Sequence, residues 1–147
     1  MPYLPNPAFP PAVICDIDGT VALRGKRYPY DYANVSSDRP NKPIIRLAQI
    51  LGENAELIFV SGREDSCESD TREWLARHLG FAYPYSIKLY MRKTGDNRKD
   101  AIIKREIFEI HIAPEWDVIY VLDDRNQVVE MWRELGLTVL QVAEGDF

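Results

Sequence analysis

Only two of the 147 residues are cysteine, too few for a disulfide framework or a thiol metal cluster. Cys15 sits inside an apolar run and reads as a small core residue; Cys67 reads as the opening of a helix. A reducing cytoplasm fits this usage. No apolar run is long enough to cross a bilayer. Residues 1–11 have neither a basic segment nor an apolar helix, so they do not read as a signal peptide. Their prolines make them an extended lead-in, or the remnant of a linker from a longer protein. A positive excess is missing too. The net charge of −5 argues against a protein that coats nucleic acid through basicity alone. The charge is uneven, however: residues 88–105 hold seven Lys and Arg against Asp96 and Asp100. A local basic face can hold a few phosphates on an acidic protein. There are no internal repeats and no linker after residue 11.

What remains suits one domain over residues 12–147, with a full core. Strand and helix signals alternate along it. Strands are expected at 12–16, 55–60, 86–91, 117–122 and 137–142. Helices are expected at 43–51, from a cap at Ser69 or Asp70 to Leu79, at 100–111 and at 128–135. In the third of these, Ile103, Ile107 and Ile110 are expected to face inward. Residues 19–31, with Gly25, Pro29 and several aromatics, read as a hairpin-like flap. The pattern predicts an α/β fold: a Rossmann-like three-layer sandwich with a mainly parallel central sheet, a small flap after the first strand and no large cap domain.

The most informative stretch is Asp16-Ile17-Asp18-Gly19-Thr20. Two acids leave the end of a buried strand together, at the edge where open α/β sheets place their chemistry. Such a pair needs a cation, because buried like charges are costly. A calcium loop would continue with oxygen ligands and a late Glu, whereas Leu23, Arg24, Lys26 and Arg27 follow here. A solvated turn is the plainer alternative for the pair taken alone.

Three further places deliver polar groups to that edge. The run 57–60 leads into Ser61-Gly62-Arg63, a hydroxyl and a guanidinium able to hold a tetrahedral anion. The run 119–122 leads into Asp123-Asp124, a second acidic pair that completes an oxygen-rich site for a hard cation such as magnesium. Lys104, one helical turn after Asp100, reaches the same edge, although Asp100 and Lys104 also read as a simple ion pair at spacing four.

Together these motifs resemble the haloacid dehalogenase-like phosphohydrolases. A closer resemblance, over nearly the whole chain, is to the 3′-phosphatase domain of bacteriophage polynucleotide kinase-phosphatases. It is carried by Tyr28-Pro29-Tyr30-Asp31, by residues 61–64, 95–100 and 111–114, and above all by 123–133 and 141–147. The resemblance implies a phosphoric monoester hydrolase of nucleic-acid end repair. It would remove the 3′-phosphate of RNA or DNA ends through an aspartyl-phosphate. Asp16 is implied as nucleophile and Asp18 as general acid and base. Asp16, the Asp18 backbone carbonyl and Asp124 are implied to hold Mg2+, with Asp123 supporting them. Thr20, Ser61 and Lys104 are implied to bind phosphate, Arg27 and Arg63 likewise, and Asp100 to orient a basic neighbour. Met131 and Trp132 read as helix core. The chain lacks the Gly-Lys-Ser or Gly-Lys-Thr phosphate loop of the phage kinase, so a 5′-kinase and a ligase are expected as separate or fused partners. A small-molecule phosphatase and a phospho-acceptor signalling domain are the competing readings.

Overall fold

In the first strand, β1 (Pro11–Cys15), Ala12 and Ile14 face one side and Val13 and Cys15 the other, and all four are buried. A strand buried on both faces needs covering layers on both sides. The computed structural model, which describes residues 3–147, shows them. Hairpin strands β2 (Ala22–Leu23) and β3 (Arg39–Pro40) come next. The chain continues through α1 (Lys42–Leu51), β4 (Glu56–Glu64), α2 (Glu68–Leu79) and β5 (Lys88–Arg92). It ends with α3 (Asp100–Ile107), β6 (Asp117–Asp123), α4 (Asn126–Glu134) and β7 (Val139–Gln141). Five strands form a parallel sheet in the order β5-β4-β1-β6-β7. Ile103 and Ile107 of α3 and Val128 and Trp132 of α4 pack on the Ala12–Ile14 side. Ile45 and Ala48 of α1 and Trp74 and Leu75 of α2 pack on the Val13–Cys15 side. The chain leaves β1 toward β4 on one side and returns to β6 on the other. That reversal opens a crevice beyond the β1 tip.

The three-layer α/β expectation therefore stands, with a small antiparallel hairpin after the first strand. Several boundaries move. The flap does not end at residue 31. β2 pairs with β3, Leu23 opposite Arg39, so the flap closes only after buried Val35 and Asp38. β4 runs through Glu64, so Ser61 and Arg63 lie within the last stretch of the strand, which does not end at residue 60. A 3-10 turn, Asp65–Cys67, precedes α2, which starts at Glu68; neither Ser69 nor Asp70 caps it. The α-helix expected over 100–111 stops at Ile107 and widens into a π-turn, Phe108–Ile112. The extra residue per turn buries Phe108 and Ile112 and leaves Ile110 65% exposed, against the expectation that it faces inward.

The lead-in is docked rather than trailing, although its first two residues lie outside the described ones. Pro11 already belongs to β1. The Tyr3 hydroxyl donates to the Trp116 carbonyl (2.9 Å) and accepts from the Val118 N–H (2.9 Å). Its ring meets Phe108 edge to face. No helix among the described residues is long and apolar enough to cross a membrane.

Candidate active site

Strand parity sorts the site into two sets of side chains. Asp16 continues the Ala12–Ile14 side of β1 and so turns toward α3. There Lys104 Nζ, almost fully buried, donates to Asp16 Oδ1 (2.7 Å) and to Asp123 Oδ2 (3.0 Å). Thr20 Oγ1 donates to Asp16 Oδ2 (2.9 Å). Both oxygens of Asp16 are thus fixed in direction. Asp123 has no free oxygen: Oδ1 accepts from the backbone N–H of Asp124 and Arg125, and Oδ2 also accepts from Trp132 Nε1. Trp132 is core, as expected, and its indole also braces this carboxylate.

Asp16, Asp123 and Asp124 are buried and offer oxygens within 4.8 Å of one another. Among the described residues, Lys104 is the one ammonium in contact with them. Burial, then the charges of Asp123 and Asp124, pushes Asp16 well above the usual carboxylate range despite Lys104. Burial and Asp123 push Asp124 up as well. Burial works against the Lys104 ammonium, but Asp123, Asp16 and Asp100 together outweigh it and hold its pKa well above the ordinary value. Three clustered carboxylates against one ammonium leave negative charge uncompensated, and an all-oxygen donor set fits a hard divalent cation. Gly19 keeps this cluster tight. Its φ is +80°, and a Cβ there would lie 2.7 Å from the Asp124 carboxyl carbon and closer still to Oδ2. Only glycine combines that dihedral with that approach.

The second set faces the other way. Arg63, on the Ser61 side of β4, is buried beside α2. Its Nε and Nη2 donate to Asp18 Oδ2 (3.0 Å) and Oδ1 (2.8 Å). The same Nη2 donates to Asp38 Oδ2 (2.7 Å), and Nη1 to Thr71 Oγ1 (3.1 Å). Arg27 donates to both oxygens of Asp38 (2.8 and 3.0 Å) and reaches Asp18 Oδ1 at 3.4 Å. Both arginines thus bridge Asp18 to Asp38 and fix Asp18 in direction. The Asp18 side chain remains 42% exposed, facing the cleft.

The remaining expected residues are close by. Ser61 is buried in β4, where its Oγ accepts from the Arg63 N–H (3.1 Å). Asp100 opens α3 between Arg92 (3.4 Å), Arg125 (3.8 Å) and Lys104 (3.9 Å). It packs against Gly62, where a Cβ would sit 2.8 Å from its carboxyl carbon. Sequence reasoning missed Asp38. Its carboxylate is shut off from solvent and shared by two arginines, but Ser36-Ser37-Asp38 reads as a polar turn. It also missed Arg92, which donates to the carbonyls of Gly62 (2.8 Å), Asp96 (2.8 Å) and Arg98 (2.5 Å) and so ties the loop after β5 to the site. Asp16, Asp18, Arg63, Asp100, Lys104 and Asp124 line one cleft of about 1010 Å3, walled by the flap and by residues 96–99.

A five-stranded parallel α/β fold with two acidic pairs, a serine and a lysine at its strand tips and helix start defines the haloacid dehalogenase-like phosphohydrolase class. Residues 10–147 match the family described as the polynucleotide kinase PNKP phosphatase domain, and the chain belongs to that family. It is 39% identical over 145 residues to a protein of Autographa californica nuclear polyhedrosis virus described as a bifunctional polynucleotide kinase/RNA ligase. That match covers 95% of this chain and 20% of the viral protein. Among solved structures, a chain of a Pnkp1/Rnl/Hen1 complex superposes with a TM-score of 0.90 at 40% identity, covering 99% of this chain and 50% of that one. A chain of a Pnkp1/Rnl/Hen1 RNA repair complex gives 0.91 at 40%, covering 100% and 47%. The class C acid phosphatase of Bacillus anthracis shares the fold alone, with a TM-score of 0.59 at 15% identity over 92% of this chain and 67% of that one. The chain thus spans a fifth of the viral relative and about half of the chains in the repair complexes.

Proposed function

We propose that this chain is a magnesium-dependent polynucleotide 3′-phosphatase that prepares RNA or DNA ends for sealing. The observation that carries the reading is the pairing of two differently held acids at one strand tip. Asp16 is clamped between Lys104 and Thr20 beside the acidic cluster. Asp18 is aimed from the opposite side by Arg63 and Arg27. Membership of the phosphatase-domain family supports the assignment, and the absence of a large cap among the described elements suits a polymer end.

In this reading Asp16 attacks phosphorus. The P–O bond to the 3′ oxygen breaks, and the leaving oxygen takes a proton from Asp18. Asp18 then accepts a proton from water as that water attacks the aspartyl-phosphate, which frees phosphate and restores Asp16. Lys104, with the Thr20 and Ser61 hydroxyls, meets the charge of the transferring group. Asp100 holds Lys104 and its arginine neighbours in place. Asp16, the Asp18 backbone carbonyl and Asp124 would hold magnesium, with Asp123 bracing the cluster. When bound, the ion supplies positive charge that offsets the phosphate dianion.

Relatives described as a kinase/ligase and as a member of an RNA repair complex support a pathway in which a 5′-kinase and a ligase, separate or fused, act on the same ends. Two unpaired cysteines, both buried, suit a reducing, cytoplasmic setting.

The test is phosphate release from matched oligonucleotides phosphorylated at the 3′ or 5′ end, with magnesium and then with a chelator. Release from the 3′ end alone, lost with the chelator, is expected. Equal release from both ends, or from mononucleotides as readily, would point to a small-molecule phosphatase.

The acidic cluster makes a separate prediction. Gly19→Ala would push the Asp124 carboxylate aside. It is expected to raise the magnesium needed for half-maximal activity by about 10- to 100-fold. An unchanged metal titration would show that Asp124 has room to spare.

A further inference from the structure

The flap presents an aromatic ring to the cleft and then fastens it there. Tyr30 lines the cleft and is 70% exposed, and Tyr28, 67% exposed, meets it edge to face at 5.6 Å. An exposed tyrosine on a loose loop would be unremarkable. This loop is not loose. Arg27 Nη1 donates to the carbonyls of Tyr28 (3.3 Å), Pro29 (3.4 Å) and Asp31 (3.1 Å), while the rest of its guanidinium is held by Asp38. Pro29 removes further freedom. Little entropy is left to lose when a flat group docks on the ring.

The cations of the cleft sort in the same direction. Arg27, Arg63, Arg92 and Lys104 spend their donors inside the protein. Arg98 is paired with Asp96 and Glu106, and Arg125 bonds the Phe147 carbonyl. Arg24 on the flap and Lys99 before α3 also line the cleft. Among the described residues, neither side chain has a hydrogen bond or an ion pair. A held aromatic ring with unengaged cations in one groove is the arrangement that binds single-stranded nucleic acid.

We propose that Tyr30 stacks on the base of the terminal, 3′-phosphorylated nucleoside, and that Arg24 and Lys99 take the phosphodiester on its 5′ side. This rests on the polynucleotide-end reading above and names what distinguishes the polymer from a simple phosphate ester. Tyr30 is a specificity residue here and touches no reacting atom.

The experiment compares wild type, Tyr30→Ala, Tyr30→Phe and Arg24→Ala/Lys99→Ala on a 3′-phosphorylated single-stranded oligonucleotide and on 4-nitrophenyl phosphate. Tyr30→Ala is expected to lose about 5- to 150-fold in kcat/KM on the oligonucleotide, the range of base–aromatic stacking. The loss falls mainly on KM and is far smaller on the aryl phosphate. Tyr30→Phe keeps the ring and restores the wild-type value. The double variant flattens the salt dependence of the oligonucleotide KM. Equal losses of Tyr30→Ala on both substrates, or none on the oligonucleotide, overturn the inference while leaving a wild-type preference for the oligonucleotide intact. A wild-type protein with no such preference overturns the polynucleotide reading itself, and the inference with it.

Discussion

Asp16→Asn is expected to cut phosphate release by at least about a thousandfold, with a melting temperature unchanged or higher. The two halves of that result have one cause. Asp16 is buried beside Asp123 and Asp124, and burial, followed by those charges, raises its pKa well above the ordinary value. For an acid shifted this way, the protonated form favours the fold at low pH. That contribution is lost as pH rises through the raised value. The ionised carboxylate is therefore kept for chemistry at a cost in stability. Asparagine keeps the shape and an acceptor for Lys104 but carries no charge and is no nucleophile. A steady-state assay and a thermal melt on the same preparation check both halves. Substantial residual turnover would remove Asp16 from the mechanism, and a large drop in melting temperature would mean that its charge supports the fold.

Asp38→Ala is expected to be the most destabilising single change near the site. The Asp38 carboxylate is enclosed and accepts from Arg27 Nε and Nη2 and from Arg63 Nη2. Its removal leaves two guanidiniums, whose side chains are 3% and 1% exposed, with the Asp18 carboxylate alone between them. Breaking a buried pair from one side costs about 3–5 kcal/mol. For a domain of this size that is a fall of roughly 10 °C or more in melting temperature. Because the same two arginines aim Asp18 and Arg27 holds the flap, activity should fall on an aryl phosphate as well as on an oligonucleotide. Asp38→Asn, which keeps volume and one acceptor, should lose less of both. Denaturant unfolding and parallel assays test this. A melting temperature within a degree of wild type would show that solvent reaches the arginines after all.

How far the sequence carries is clear from these two aspartates. Asp16 was legible because local rules converge on it: an apolar run of strand length, a second acid at spacing two and a glycine that turns the chain. The same logic found Asp123-Asp124 and the two-sided burial of β1. Asp38 was not legible. Nothing local separates it from a solvated turn, and its partners lie 11 and 25 positions away. The arginines were legible as cations of the site, but their pairing with Asp18 and Asp38 was not, since a guanidinium at a strand tip reads the same whether its anion is a substrate or the protein's own carboxylate. The flap boundary was missed because β2 and β3 are two residues each, too short to leave a periodic trace. The π-turn was invisible for a related reason. Ile103, Ile107 and Ile110 carry a regular helical spacing, and only packing of Phe108 and Ile112 against the core reveals the inserted residue.

The central claim is that Asp16 takes the phosphoryl group from a 3′ end. Rapid acid quenching of the enzyme with an oligonucleotide radiolabelled in its terminal 3′-phosphate measures this directly. The account predicts transient label on the protein, mapping to Asp16, absent from Asp16→Asn and absent when the label sits at the 5′ end. Phosphate release without any labelled protein, or labelling at another residue, would contradict it.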